Sequence, residues 1–381
     1  MSLSQEELES RGHPVWAEID LDALRSNVTN LAALVAPAEL MGVVKGYAYG
    51  HGNPTCAREM LAHGATRLGV ARLAEALHLR EAGIEAPIHV FSETPADAAS
   101  TFVEADLTAT VYSEAFASAL SAAATELDRE VAVHVKLDTG MHRVGLLAED
   151  VEGAITALRA LPGLRIEGAW SHLAVADVPD HPFTRKQLDL FDELTAAIEN
   201  LGVKLRYRHI ANSAAAISLP EARYDIVRCG IAAYGLSPGP QLGTTVELSP
   251  VMSVRARVGL VKKVQAGEAL SYGLQYELRE PGSVVTVAAG YADGYDRRLS
   301  GVGHVLIGGR RFRVSGTVCM DQFMVDVGDA AVAQGDVVTL LGSDGAERVS
   351  AEELAAHIGT INYEVTARVP SRVPRIYVNG D

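Results

Sequence analysis

The segments Met41-Gly-Val-Val-Lys45, Arg67-Leu-Gly-Val70 and Pro87-Ile-His-Val-Phe91 are short, largely apolar runs, and amphipathic stretches separate them. The rhythm continues in Leu107–Val111, Val131–Leu137, Leu164–Trp170, Leu205–Ile210 and Tyr224–Arg228. β-branched runs alternating with segments of helical period predict βα units, whose strands lie parallel. Between two of the runs, Leu73, Ala76, Leu77 and Arg80 share one helical face, and Gly83 is placed to end that helix. Leu24, Val28, Leu31 and Val35 form a similar stripe before the first run. Eight successive units, with no GxGxxG opening a helix, favour a closed barrel over an open doubly wound sheet.

The pattern changes after Tyr234. Leu236-Ser-Pro-Gly-Pro-Gln-Leu-Gly243 reads as a linker. Val-rich segments follow at Ser253–Val264, Ser283–Ala288, His304–Ile307 and Val337–Leu341, with glycine-containing turns between them. Beyond the linker only Ser350–Ile358 reads as helix, opened by the capping box Ser350-Ala-Glu-Glu353. The fold class expected is α/β: a (β/α)8 TIM-type barrel over residues 14–240, then a mostly β C-terminal domain over residues 241–381.

The 33 Lys and Arg against 48 Asp and Glu give a net charge of −15, so the surface repels nucleic acid and anionic lipid, and an anionic ligand must be captured locally. With 48% hydrophobic and 21% charged residues the chain can bury a sizeable core. The start shows no basic segment followed by an apolar one, and no apolar run approaches the roughly 18 residues of a membrane span. A cytoplasmic protein with no membrane partner is expected. Cys56, Cys229 and Cys319 are odd in number and widely spaced, which fits free thiols better than a disulfide framework or a zinc site.

Chemistry in such a barrel gathers where strands end. Lys45 ends the first predicted strand, Arg143 follows the fifth, His172 follows the sixth, His209 sits in the last turn of the seventh and Arg228 ends the eighth. Each alone reads as an ordinary strand end; together they converge on one mouth. The loops after the last two strands, Ala211-Asn-Ser213-Ala and Cys229-Gly230-Ile231-Ala, offer a hydroxyl and backbone N–H groups. Such groups bind phosphate without a basic patch. A lysine beside a phosphate cup suggests pyridoxal phosphate, whose aldehyde forms a Schiff base with an amine. There is no HExxH, no Walker sequence and no GxSxG, and no metal is expected. Asp138 and Asp177 leave carboxylate-pair hydrolysis open.

Val43-Val-Lys45-Gly-Tyr-Ala-Tyr49-Gly-His-Gly52 resembles the cofactor-lysine signature of the alanine racemase family. The resemblance continues, in family order, through Lys136-Leu-Asp-Thr-Gly-Met-His-Arg143-Val-Gly145, Ser171-His172-Leu-Ala174, His209-Ile-Ala-Asn-Ser213 and Val227-Arg228-Cys-Gly-Ile231. Beyond the linker it takes in Ser271-Tyr272-Gly273, Gly290-Tyr-Ala-Asp-Gly294, Cys319-Met320-Asp321-Gln and Ile361-Asn-Tyr363-Glu.

That resemblance implies a homodimer with shared active sites and pyridoxal 5'-phosphate as cofactor. By it Lys45 carries the Schiff base and serves as the base on one face of the substrate Cα, and Tyr272, from the other subunit, serves on the opposite face. It also implies that His172 bonds Tyr272 with Arg228 behind it, which favours the phenolate, and that Arg228 donates to the pyridine nitrogen. Tyr49, Ser213, Gly230, Ile231 and Tyr363 would hold the phosphate. Arg143 and the Met320 backbone would receive the substrate carboxylate, Lys136 would be the family's carbamylated lysine, and His209 would lie against the ring. Three positions depart from the family pattern: Gly46-Tyr47 where Ala-Asp or Ala-Asn is usual, and His142 where glycine is. The implied activity is racemisation of L-alanine and D-alanine, supplying D-alanine for peptidoglycan. A broad-specificity amino-acid racemase, a barrel-type decarboxylase and a non-catalytic pyridoxal-phosphate-binding protein are the alternatives.

Overall fold

A computed structural model describes residues 12–242 and 246–380. Residues 1–11, on which the expectation about the chain start rests, and Gly243 of the expected linker lie outside the described residues.

Strand β1 (Val15–Asp20) comes first. The next eight strands, β2 (Glu39–Val43), β3 (Ala65–Val70), β4 (Ile88–Val90), β5 (Thr108–Val111), β6 (Val131–Lys136), β7 (Leu164–Trp170), β8 (Tyr207–His209) and β9 (Ile226–Cys229), form one 8-stranded sheet in the order β8-β7-β6-β5-β4-β3-β2-β9. Every ladder in it is parallel. The sheet curls back on itself: Asp225 N donates to Arg208 O at 3.1 Å and Arg228 N to Ala211 O at 3.1 Å, linking the β9 side to the β8 side. All eight expected strands are present, as a nearly closed barrel. Their runs of buried residues suit strands covered on both faces. The expected stripe Leu24, Val28, Leu31 and Val35 is buried along the helix Leu21–Val35. The helix Leu73–Glu81 stops just before Gly83, whose φ of 81° is open to glycine at little cost.

The barrel interior is unusually polar. Arg67, His89, His134, Lys136, His209 and Arg228 are all buried, with Trp170 and Tyr207 among them. Gly168 on β7 makes room for this crowd, since a Cβ there would lie 2.7 Å from Tyr207 O and 2.9 Å from the His134 ring.

The chain divides into two compact units, the barrel unit holding Leu24–Ala48 and Asn53–Ser249. The other unit takes the described part of Met1–Ala23, the short segment Tyr49–Gly52 and the chain from Pro250 onward. Its strands are β10 (Met252–Val264), β11 (Ala269–Leu270), β12 (Tyr276–Glu277), β13 (Gly282–Val287), β14 (His304–Ile307), β15 (Arg310–Arg313), β16 (Phe323–Gly328), β17 (Val337–Asp344), β18 (Glu347–Val349) and β19 (Arg375–Val378). A 9-stranded sheet runs β15-β14-β17-β10-β1-β19, with β13 and β16 continuing from β10 and β18 on β17. Strand β1 therefore departs from the expected barrel range of 14–240. It pairs antiparallel with β10 and parallel with β19, and its half-exposed Glu18 and Asp20 suit a sheet with one wet face better than a doubly covered barrel.

The helix Ala351–Ile358 carries its expected cap, Ser350 Oγ accepting from Glu353 N at 3.1 Å. A second helix, Asn362–Ala367, was not expected, because 6 residues are too few to show a helical period. Arg375, fully buried, donates to Gly50 O at 2.9 and 2.7 Å, and a Cβ on Gly50 would fall 2.1 Å from Thr366 O. Among the described residues no helix is long and apolar enough to cross a membrane.

Replacing Gly168 by alanine is expected to lower unfolding stability by about 1–3 kcal/mol, the range for overfilling a packed core. Urea denaturation measures this, and an unchanged midpoint would contradict the tight interior.

Candidate active site

Lys45 stands two residues beyond β2 rather than at its last position. It opens a left-handed turn: Gly46, Tyr47, Ala48 and Tyr49 have φ of 62°, 56°, 55° and 53°. Three of these four residues carry a Cβ, and each left-handed residue of that kind costs roughly 1–2 kcal/mol. The turn is held by Ala48 N to Val44 O at 2.9 Å and by Gly46 N donating to the Glu75 carboxylate at 2.6 Å. Backbone strain of this kind concentrates where a side chain must be aimed. Gly46, a departure from the family pattern, occupies one of the strained positions and relieves it.

Around the C-terminal ends of the barrel strands the expected basic residues do converge. The guanidinium of Arg228, at the end of β9, donates to Ser171 O at 2.9 Å, Ile210 O at 3.1 Å, His172 Nδ1 at 3.0 Å and His209 Nδ1 at 3.0 Å. Burial pushes it down to about 9, which leaves it charged at neutral pH. Burial likewise disfavours the Lys45 ammonium, and the Arg143 and Arg228 cations push in the same direction. The His172 imidazole is kept neutral by burial and by Arg228, Arg143, Lys45 and Lys136. Lys136 is lowered to about 7, mainly by burial and then by Arg228. Its ammonium donates to Leu137 O at 2.9 Å and lies 4.9 Å from the Trp170 ring centroid. The mouth thus collects amines held closer to their neutral, nucleophilic form than an exposed lysine is.

The last two barrel loops meet: Ser213 Oγ accepts from Gly230 N at 3.0 Å and from Ala232 N at 3.4 Å. Arg143 lies in a loop organised by Asp138, whose carboxylate accepts from Gly140 N at 2.9 Å and His142 N at 3.0 Å and faces His142 Nδ1 at 3.2 Å. Burial pushes the Asp138 carboxyl up, but these bonds together hold it below the usual carboxylate range, so it braces the loop and is ill suited to act as a hydrolytic acid. They also explain how His142 tolerates a φ of 54° where the family pattern has glycine.

In the β unit Tyr49 and Tyr363 face each other with ring centroids 6.2 Å apart. Tyr272 shares a concave surface with Tyr291, Arg297, Cys319, Met320 and Gln322. It is 74% exposed, with Leu274 at 68% and Met320 at 54%, a large uncovered apolar area for a folded domain.

Two family models match this chain. Residues 19–238 match the alanine racemase N-terminal domain and residues 251–377 the alanine racemase C-terminal domain. The alanine racemase of Desulfovibrio desulfuricans is 45% identical over 96% of this chain and 98% of its own length. That of Carboxydothermus hydrogenoformans is 42% identical over 96% and 100%. The chain belongs to the alanine racemase family. Among solved structures, the enzyme of Streptomyces lavendulae superposes with a TM-score of 0.92 at 40% identity, covering 97% of this chain and 98% of that one. The Bacillus anthracis enzyme with bound L-Ala-P gives 0.91 at 38% identity, covering 97% and 96%.

The structure packs His209 into the barrel interior: it is fully buried, stacked on Trp170 with ring centroids 5.6 Å apart and hydrogen-bonded through both nitrogens. It reaches the mouth only through Arg228. The sequence reading missed its partner His134, the Glu167 bonded to His134 in turn, and His89. A signal was present for His134: it lies two residues before Lys136 on β6, hence on the same face of the strand.

Four imidazoles here, His89, His134, His172 and His209, have their charged form disfavoured, chiefly by burial. With folded values below the unfolded value near 6.5, the unfolded chain binds more protons. Stability is therefore expected to hold above about pH 6.5 and to fall as pH drops toward about 5. Urea midpoints across that window test the sign, and His89→Phe should flatten the slope; a rise in stability on acidification would contradict it.

Proposed function

We propose that this chain interconverts L-alanine and D-alanine with pyridoxal 5'-phosphate at the barrel mouth, Lys45 and Tyr272 moving the Cα proton from opposite faces. The observation that carries the reading is a half-buried lysine whose charge is disfavoured, beside a buried arginine fixed by four hydrogen bonds. Those residues fit the cofactor: an aldehyde needs an uncharged amine, and the cup of Ser213 and Gly230 suits a phosphate. The cofactor, when bound, supplies an electron-withdrawing ring that acidifies the substrate Cα–H.

The chain's own groups do the rest. Ser213, Gly230 and Ile231, with Tyr49 and Tyr363, would hold the phosphate. Arg228, which donates and never accepts, would face the ring nitrogen and leave it without a proton, a weaker electron sink that discourages side reactions. Arg143 and the Met320 backbone would receive the substrate carboxylate. Lys136, with a value of about 7, is half neutral near pH 7 and open to carbamylation, and the negative group so formed would orient Arg143. His172 receives a hydrogen bond from Arg228 on Nδ1, which leaves Nε2 to donate to the Tyr272 phenol oxygen. A donor there favours the phenolate, the form that abstracts a proton.

Racemisation needs a second base, because one group returning the proton to its own side only exchanges it. Tyr272 would come from a second copy in a homodimer, and the exposed patch of Tyr272, Leu274 and Met320 supports such cover. We infer a cytoplasmic enzyme supplying D-alanine for peptidoglycan.

A chiral assay of alanine and other L-amino acids tests the reading; failure to form D-alanine would end it. Lys45→Ala is expected to abolish the bound cofactor's absorption near the visible edge, and an unchanged spectrum would remove the lysine from its role. Tyr272→Phe is expected to keep the cofactor while cutting racemisation by about 10²-fold or more, the low end for losing an acid–base group, with the two directions affected unequally.

A further inference from the structure

Glu167 is the extra residue of a β-bulge. Strands β6 and β7 pair Val133 with Ile166 and then His134 with Gly168, which leaves Glu167 without a partner across the ladder. Bulges re-aim side chains, and this one is buried against His134. Arg165 holds the second carboxylate oxygen at 2.9 Å, and Arg206 lies 3.7 Å away.

From Glu167 a line of polar contacts crosses the barrel. Its Oε2 is 3.4 Å from His134 Nε2, His134 Nδ1 is 2.8 Å from His209 Nε2, and His209 Nδ1 is 3.0 Å from the Arg228 guanidinium. Arg228 in turn lies 3.0 Å from His172 Nδ1. The ends run one way only, because an ionised carboxylate accepts and a guanidinium donates. Neutral imidazoles between them have a single solution, with the proton on Nε2 and the lone pair on Nδ1 at both His134 and His209. The other tautomer would set an N–H of His209 against an N–H of Arg228.

We propose that Glu167, His134 and His209 are positioning residues: they fix the hydrogen-bond direction along this line and, through Arg228, hold His172 as a donor at the barrel mouth. The tautomer assignment needs no cofactor; its use, serving the Tyr272 phenolate, rests on the racemase reading above. Burial and neighbouring cations keep the imidazoles neutral, and the His134 bond is the first cause that brings Glu167 to about 2. Among the described residues, Glu167 is the acid that acts on His134. His89 meets it edge-on at 4.7 Å with its own Nε2 on Thr110, and Tyr207 stacks on it beneath the Arg67 guanidinium. The other histidine cluster, His304, Glu353 and His357, is different in kind, since Arg311 already sits on its carboxylate at 2.5 Å.

Solid-state ¹⁵N spectra of the protein as isolated, labelled at histidine and assigned by difference against His134→Phe and His209→Phe, read the tautomers directly. His134, His209 and His172 are expected to be neutral with the proton on Nε2 from about pH 6 to 8, across the ordinary titration of histidine. An imidazolium, or a proton on Nδ1, at His209 overturns the proposal. Glu167→Leu removes the accepting end: it is expected to mix the His209 tautomers and to lower kcat about tenfold with KM nearly unchanged, the split for an interaction used in the transition state. Glu167→Gln, whose amide oxygen still accepts, should recover most of that loss. Unaltered His209 signals and kcat in Glu167→Leu overturn the proposal, and if that variant does not fold the wild-type spectrum decides. Absent racemisation with the expected tautomers would defeat the racemase reading alone; racemisation with scrambled tautomers would defeat the relay alone.

Discussion

A guanidinium buried at the end of a barrel strand is the constraint on which the site depends. Taking such a charge out of water costs several kcal/mol, and Arg228 recovers that from two backbone carbonyls and two imidazole nitrogens. None of these partners is an acid, so the positive charge is solvated but not cancelled. Its field then falls on neighbouring groups: after burial itself, Arg228 is among the causes that lower Lys45, Lys136 and His172. One unneutralised cation thus keeps several bases available, in a protein whose overall charge is −15.

Filling a barrel with polar groups is a demanding way to build a core, since each buried donor and acceptor must find a partner. Aliphatic side chains tolerate several packings, whereas the donor-only and acceptor-only groups here admit few. Gly168 belongs to the same solution, because the His134 ring and the Tyr207 carbonyl occupy the space its side chain would need. The strained turn after Lys45 is the backbone counterpart, four residues held left-handed so that a lysine leaves the strand at a fixed angle.

Much of this was legible in the sequence. The eight parallel strands announce themselves because a doubly covered strand is a continuous apolar run, and Lys45, His172, Ser213 and Arg228 follow from where such runs stop. Residues 15–20 were not read as a strand and fell inside the expected range 14–240, because only their pairing with β10 and β19 reveals the sheet they join. Helix Asn362–Ala367 was too short to show a period. His209 was placed at a strand end by the sequence and against the cofactor ring by resemblance; its full burial is something no linear pattern reports. Glu167 was invisible for another reason: strict alternation turns it outward, and the bulge that brings it in is a property of two strands together.

The contact between Arg375 and Gly50 joins residues 325 positions apart in the chain. A ribosome emits Gly50 well before Arg375, so a growing polypeptide must wait through that interval before these two bonds can form. Maturation of that corner is timed by translation itself, and a message cut short ahead of Arg375 would lose both guanidinium bonds to the Gly50 carbonyl.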